Sequence, residues 1–332
     1  MTWHGFCLLF GMKKKKRKKA DKVNRRKLCQ QAIRKREAEL RKQTFFDPTY
    51  DLVFKKIFAK MKTLIHFLNA VLRLEGDRRL VFAKFLGSTI NLSRPDKKRK
   101  INRFDVHACT ADGRFVDIEM QRAGHEDFLD RVELYSAMLT INSKIHMNNE
   151  LTTEQLENHP YLMPTVYSIW ICNFKVDFCT SYHEEIALYR SSDVGKSEAL
   201  PVYAKKKYIV IDLTRFVPQK ENSPESEWLK LFKTMPQAKR APKGLDGVMG
   251  DVYERMKVKN ATSKFIKKVA LYMERDERLT RLGSLREAKA EGLAEGEVKG
   301  EARGIAKVMK LFRAKGASPD LIAAVSAALA IK

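Results

Sequence analysis

The sequence lacks the features that mark several large protein classes. Its five cysteines are scattered and odd in number and form no CxxC pair, which argues against a disulfide framework or a zinc cluster and favours a reducing compartment. No run of about 18 apolar residues occurs, so we expect no membrane span. The apolar stretch in the opening MTWHGFCLLFGM precedes the charges, the reverse of a secretory signal. No GxxxxGK[ST] loop is present, which argues against an ATP-driven enzyme.

Acidic residues are outnumbered by basic ones. The chain of 332 residues has 40 Asp and Glu against 65 Lys and Arg, for a net charge of +25. Such an excess favours a polyanionic partner, above all nucleic acid. With 44% apolar residues, the chain is long enough for a genuine core.

About half of the excess charge lies in a basic N-terminal arm, residues 1–44, which has 16 Lys and Arg against three acidic residues. Three interpretations remain open for this arm: a solvated and flexible tail, a segment that binds phosphates, or a localisation signal.

Residues 45–218 have the pattern of a mixed α/β domain. We expect a helix in DPTYDLVFKKIFAK, with Asp47 as its cap and Pro48 at its first position. A second amphipathic helix, strands, a longer helix and two further strands follow. The order predicts a mixed sheet flanked by helices.

The tripeptide ADG, residues 111–113, separates two of the predicted strands. A three-residue hairpin loop with Gly113 in the left-handed conformation would pair Thr110 with Arg114. In that register Asp105 lies opposite Glu119, on the same face of the sheet as His107, Asp117 and Gln121.

Carboxylates that face each other on a sheet repel unless a positive charge lies between them or they splay into solvent. One interpretation is therefore a Mg²⁺ or Mn²⁺ site at Asp105 and Glu119. The other is an exposed acidic strand face. A two-residue turn would shift the register by one residue and remove the site.

Five segments together resemble the PD-(D/E)XK nuclease superfamily, and within it the recombination-promoting nucleases of the Rpn type, a family of putative transposases. The resemblance covers about residues 45–218 and rests on their order and spacing. The segments are DPTYDLVFKKIF, LIHFLNAVL, FDVHACTADGRFVDIEMQ, DRVELYSAML and YLMPTVYSIWICNF.

This resemblance implies a restriction-endonuclease-like fold and metal-dependent hydrolysis of DNA by a metal-activated water. It assigns Asp105 and Glu119 as metal ligands, with Asp51 as a further candidate whose charge is equally explained by the helix dipole. Gln121 stands where the superfamily usually has Lys, so it would orient water or phosphate with an amide dipole.

Arg131 and Tyr135 are four residues apart and share a helix face, where Arg131 could hold a phosphate or simply be a surface residue. His107 shares the acidic face, and we interpret it as a neighbour rather than a ligand.

The rest of the chain has a different character. Residues 219–285 are predicted to be helical, and residues 286–332 form a helical tail in which Gly292, Gly296, Gly300 and Gly304 recur every four residues. Such a stripe would weaken an isolated helix by roughly 4 kcal/mol. It therefore indicates either a partner helix, for example in a homo-oligomer, or a flexible linker.

The sequence as a whole predicts a metal-dependent DNA endonuclease linked to recombination or mobile elements. Its expected location is the cytoplasm, with the nucleoid, or the nucleus of a eukaryotic host. The alternative is a catalytically inactive nucleic-acid-binding or scaffold protein of the same fold.

Overall fold

The computed structural model describes residues 27–86, 104–124, 126–193, 195–196, 199–218, 223–319, 321–322 and 325. The chain divides into two compact units, Met1–Glu274 and Arg275–Lys332. Most of the basic arm lies outside the described residues, as do most of the last residues of the predicted helical tail. Within the described part, no helix is both long and apolar enough to cross a bilayer.

Eight helices and six strands are numbered here in chain order within the described residues. Helix α1 covers residues 27–40. The other helices are α2 Asp51–Ile57, α3 Met61–Val71, α4 Phe128–Glu150, α5 Thr153–Asn158, α6 Pro224–Thr234, α7 Gly247–Met256 and α8 Ser263–Ala314. The strands are β1 Ala83–Phe85, β2 Val106–Thr110, β3 Arg114–Gln121, β4 Thr165–Cys172, β5 His183–Leu188 and β6 Tyr203–Asp212.

The strands form one mixed sheet in the order β1-β2-β3-β4-β6-β5. Strand β3 pairs in parallel with β4, and β4 in parallel with β6, while the β1-β2, β2-β3 and β5-β6 pairs are antiparallel. Helix α4 connects the parallel strands β3 and β4, as a parallel pair requires. A mixed sheet with flanking helices confirms the predicted fold class.

Two apolar clusters cover the two faces of the sheet. The larger cluster joins alternate residues of β2 and β3, including Val106, Ala108, Val116, Ile118 and Met120, to helices α2, α3, α6 and α7. The smaller one packs α4 on the other face through contacts between Tyr135 and Trp170 and their neighbours. Because side chains alternate along a strand, the odd-numbered residues of β3 face the α4 side.

The first helix of the domain begins later than predicted. Asp47 accepts hydrogen bonds from the backbone N–H and the hydroxyl of Thr49 (2.9 and 2.7 Å), so it stabilises a turn before the helix. Helix α2 itself begins at Asp51, with Tyr50 as its N-cap residue. The prediction that Asp47 and Pro48 start the helix was wrong because the side chain of Asp47 bonds to its own turn.

Candidate active site on the acidic face of the sheet

The β2-β3 hairpin has the predicted register. Val106 pairs with Ile118, His107 with Asp117, and Cys109 with Phe115. Gly113 has a φ of +77° and donates its N–H to the Thr110 carbonyl at 3.0 Å. The alternative of a two-residue turn is therefore wrong, and the hairpin carries the acidic residues on the side of α4.

Asp105 and Glu119 lie at the open end of this hairpin. The backbone N–H of Asp105 donates to Glu119 Oε1 at 2.9 Å. The backbone N–H of Met120 donates to Asp105 Oδ2 at 3.1 Å. These two bonds fix the carboxylates beside each other, as the pairing predicted.

The acidic face is not exposed. Asp117 is 0% exposed, Glu119 2% and Gln121 8%, so the interpretation of an exposed acidic strand face was wrong. Both carboxylate oxygens of Asp117 are buried and have no hydrogen-bond partner among the described residues. Buried carboxylates without partners cost several kcal/mol unless they are neutralised.

Burial and mutual repulsion raise the pKa of each carboxyl in this cluster. Burial raises the pKa of Asp105 to about 6, although the charge of Lys55 opposes the rise. Burial, followed by the charge of Asp105, raises the pKa of Asp117 well above its usual value. The pKa of Glu119 is raised well above its usual value by burial, and then by the charges of Asp105 and Asp117. The cluster therefore favours any cation that enters it.

Lys55 of helix α2 supplies a positive charge at the edge of the cluster. Its Nζ lies 3.0 Å from Asp105 Oδ1 and also contacts the carboxylate of Asp51. Burial alone would lower the pKa of Lys55, but Asp105 and Asp51 raise it above the usual lysine value. A cavity of about 210 Å³ lies beside this ion pair, lined in part by Lys55, Asp105 and His107.

Sequence reasoning did not identify Lys55 as part of the site. The spacing of Asp51 and Lys55 by four residues predicts an ion pair on one helix face, but not the approach of that face to Asp105. Sequence reasoning placed Asp117 on the same face of the sheet as Asp105, but it did not include Asp117 among the site residues. Asp51, predicted as a further candidate ligand, pairs with Lys55 and also interacts directly with Asp105, where it adds to the rise in the pKa of that carboxyl.

Arg131 and Tyr135 lie on the same side of the sheet. Arg131 Nη2 donates to the Tyr135 hydroxyl at 3.4 Å, and its guanidinium lies 5.0 Å from the ring centroid. The charge of Arg131 lowers the pKa values of Asp117 and Glu119 against the larger effect of burial. Tyr135 is 7% exposed and is therefore buried.

Divalent metal ions fit this donor set. Among the described residues no group of three or more His, Cys, Asp and Glu side chains is arranged to hold a metal. Mg²⁺, however, binds through one or two carboxylates and keeps several waters. The paired carboxylates of Asp105 and Glu119, and the unpartnered oxygens of Asp117, have the chemistry that such an ion requires.

Comparison with known proteins identifies the family. Residues 48–283 match the PD-(D/E)XK nuclease family transposases. Neither the curated proteins nor the solved structures contain a match. The family match spans most of the chain and includes the sheet and the acidic hairpin. The chain therefore belongs to the PD-(D/E)XK nuclease family transposases.

Proposed function

We propose that this protein is a metal-dependent DNA endonuclease that acts in recombination or in the movement of mobile elements. One observation carries the proposal: Asp117 and Glu119 are buried beside the half-buried Asp105 on one face of the sheet. This arrangement destabilises the protein when no cation is bound. Within a nuclease family, it is best explained as a site for a divalent ion.

Asp105 and Glu119 would hold Mg²⁺ or Mn²⁺, and Asp51 would approach as a further ligand once Lys55 releases it. The bound ion would lower the pKa of a water molecule and neutralise charge on the scissile phosphate. Asp117 adds negative charge to the cluster, which stabilises the cation-bound site relative to the empty site. The protein must therefore bind divalent ions more tightly than a surface carboxylate pair does.

This superfamily usually has a lysine two residues after the glutamate, where this chain has Gln121. Gln121 and Lys55 together would perform the roles of that lysine. The Gln121 amide can donate to a phosphate oxygen and accept from a water molecule, but it carries no charge. Lys55 supplies a charge from a different element, 3.0 Å from Asp105. We assign Gln121 to orientation and Lys55 to stabilisation of the negative charge that develops on phosphate.

Arg131 would bind the phosphate next to the one that is cleaved. Arg131 is half-buried, and its charge acts on Asp117 and Glu119, so its guanidinium lies near the proposed metal site. The Tyr135 hydroxyl contacts Nη2 and would hold the guanidinium in place. Arg131 is thus a substrate-binding candidate, and Tyr135 is a positioning residue.

The alternative is a catalytically inactive DNA-binding or scaffold protein of the same fold. The glutamine at position 121 favours it, because an amide stabilises a transition-state charge less than an ammonium does. A binder should hold DNA in EDTA, and addition of Mg²⁺ should produce no cleavage.

Cleavage of plasmid DNA by the purified full-length chain in Mg²⁺, Mn²⁺ or EDTA separates these functions. We expect nicking or linearisation with either metal and none in EDTA. Calorimetric titration with Mn²⁺ provides a second measurement that does not depend on activity. Cleavage in EDTA, or no Mn²⁺ binding, would contradict the metal assignment.

The remaining regions suggest partners. The basic arm, residues 1–44, would add affinity for DNA without sequence specificity. The glycine-bearing part of α8 would mediate self-association, since it also exposes large apolar side chains such as Leu285 and Leu293. A DNA substrate places the protein in the cytoplasm with the nucleoid, or in the nucleus of a eukaryotic host.

A further inference from the structure

A basic pocket lies in the first compact unit, where four segments of the chain meet. Its volume is about 500 Å³, and its lining comes from residues 41–44 after α1, residues 239–241, residues 257–261 between α7 and α8, and Ile266. None of these residues belongs to the acidic cluster or to the cavity beside Asp105. The pocket is therefore a separate feature of the surface.

The pocket contains cations and no anions. No carboxylate is among its lining residues, whereas five of them are basic: Arg41, Lys239, Arg240, Lys257 and Lys259. Glu254 pairs with Lys257. Lys239 and Arg240 are exposed and form no ion pair with the described carboxylates. Clustered cations that outnumber their counter-charges raise the local potential and attract phosphate groups.

The backbone around the pocket is held in place by hydrogen bonds between distant segments. The N–H of Val258 donates to the carbonyl of Thr44 at 3.0 Å, and the N–H of Phe46 donates to the carbonyl of Met256 at 3.0 Å. Apolar atoms of Ala241, Val258 and Ile266 contribute to the lining. A pocket with fixed walls, an apolar portion and charged side chains suits a sugar joined to phosphates.

The basic surface continues beyond the pocket. The first turns of α8 expose Lys267, the residue after the lining residue Ile266. A mononucleotide would fill the pocket without using this additional charge. A polymer with regularly spaced phosphates would contact both.

We propose that this basic pocket is a second nucleic-acid site, which binds the phosphodiester backbone of DNA away from the acidic cluster. The assignment of DNA as the ligand rests on the proposed nuclease function. The site would contact backbone phosphates and not base edges, so it would add affinity without sequence specificity. It would hold a duplex in register while another part of that duplex occupies the acidic cluster.

The test measures binding of a fluorescent 30-bp duplex to the full-length chain by anisotropy, in EDTA and over a series of salt concentrations. Lys239→Glu/Arg240→Glu reverses two exposed charges of the pocket. Arg78→Glu/Arg79→Glu is the matched control, because these residues are also adjacent and exposed but do not line the pocket. Circular dichroism verifies that both variants fold.

We expect the pocket variant to bind the duplex at least tenfold more weakly, and the slope of log K against log salt to fall by about 2, as the loss of two phosphate contacts requires. The control should retain its slope. Equal losses in both variants would mean that net charge alone acts, and an unchanged pocket variant would mean that the pocket does not touch DNA. Either result overturns the proposal.

A competition with ATP distinguishes a polymer site from a nucleotide site. We expect ATP to displace the duplex only at concentrations far above the duplex Kd, because ATP offers fewer phosphates. Displacement near that Kd would identify a nucleotide pocket and overturn the proposal. Cleavage is measured separately with Mg²⁺, so a chain that binds through the pocket but never cuts contradicts the nuclease function alone.

Discussion

The β2-β3 hairpin and the glycine-bearing part of α8 both contain residues that lower the stability of the isolated chain. The hairpin does so by burying charged side chains, and α8 does so by placing glycines inside a helix. In the hairpin, Asp117 and Glu119 are buried where their charges have too few partners. In α8, a Cβ added at Gly296 or Gly300 would meet no atom within 4 Å, so no close packing within the described chain requires glycine. A bound cation would therefore stabilise the hairpin. The glycines of α8 are not required by any contact within the described chain, so a contact with another molecule is the remaining explanation.

The largest effect is expected from removing the ligands of the hairpin. Asp105→Asn and Glu119→Gln should each abolish Mg²⁺-dependent cleavage, because each removes one of two paired ligands, while DNA binding in EDTA persists. Asp130→Asn is the matched control, since it is an exposed carboxylate on α4. Plasmid cleavage and anisotropy measure the two properties. Full activity of Asp105→Asn would show that the hairpin carboxylates are not needed as metal ligands.

Lys55 provides the next largest effect. Lys55→Met should slow single-turnover cleavage by about 10²-fold, as expected when one preorganised donor to a developing negative charge is removed. Lys56→Met is the control, because the Lys56 ammonium lies 4.2 Å from the Phe265 ring centroid rather than at the acidic cluster. Gln121→Ala should slow the reaction less than Lys55→Met.

A rescue separates catalysis from a merely structural role of Lys55. Adding Gln121→Lys to Lys55→Met should restore part of the rate, because it returns a positive charge to the same face of the sheet. If Lys55→Met unfolds the protein or if Gln121→Lys fails to restore any rate, the assigned division of roles between these residues is wrong.

The sequence predicted the hairpin well and its surroundings poorly. Its register followed from one loop, because Gly113 can adopt a positive φ and a period of two then fixes every facing pair. Strand β5 was not predicted, since HEEIAL at an edge of the sheet lacks a clear apolar alternation. The contact of Lys55 with Asp105 depends on how α2 packs against the sheet, and no local pattern contains that information.

The carboxylates of the hairpin should make the stability of the metal-free protein depend on pH. A carboxyl whose pKa is higher in the folded state contributes stability below its unfolded pKa, and that stability is lost as pH rises through the folded pKa. For Asp105, burial raises the pKa from 3.8 to about 6, so the loss falls between those two pH values. The Tm in EDTA should therefore fall between about pH 4 and pH 6, and further as Asp117 and Glu119 ionise.

Asp117→Asn tests this origin of the pH dependence. The neutral amide needs no proton, so the variant should match the wild-type Tm near pH 4 and exceed it at pH 8. Asp112→Asn should behave oppositely and lose stability at pH 8. Partial burial raises the pKa of Asp112, but the hydrogen bonds that its carboxylate accepts and the charge of Arg114 together outweigh that effect, and the pKa is lower than usual. If the Tm of the two variants depends on pH in the same way, the buried charge of Asp117 is not the cause of the pH dependence.

The smallest effect on the folded core, and the sharpest test of the second region, comes from the glycines of α8. If another helix approaches closely along the stripe, Gly296→Leu/Gly300→Leu should block that approach and shift the mass in solution towards monomer. Glu297→Leu/Glu301→Leu is the matched control, because it adds the same side chains with the same spacing at exposed positions one residue away. Light scattering after gel filtration gives the mass of each variant.

Alanine at the same positions gives a graded result. Gly296→Ala/Gly300→Ala should strengthen the helix by about 1 kcal/mol per residue, since an added Cβ meets no atom within 4 Å, while loosening any close helix contact only partly. Its mass should therefore lie between those of the wild type and the leucine variant, with higher helicity by circular dichroism. If the wild type is already a monomer and all variants keep its mass, self-association through α8 is wrong. The four glycines lie within one continuous helix, so a flexible linker does not explain them either.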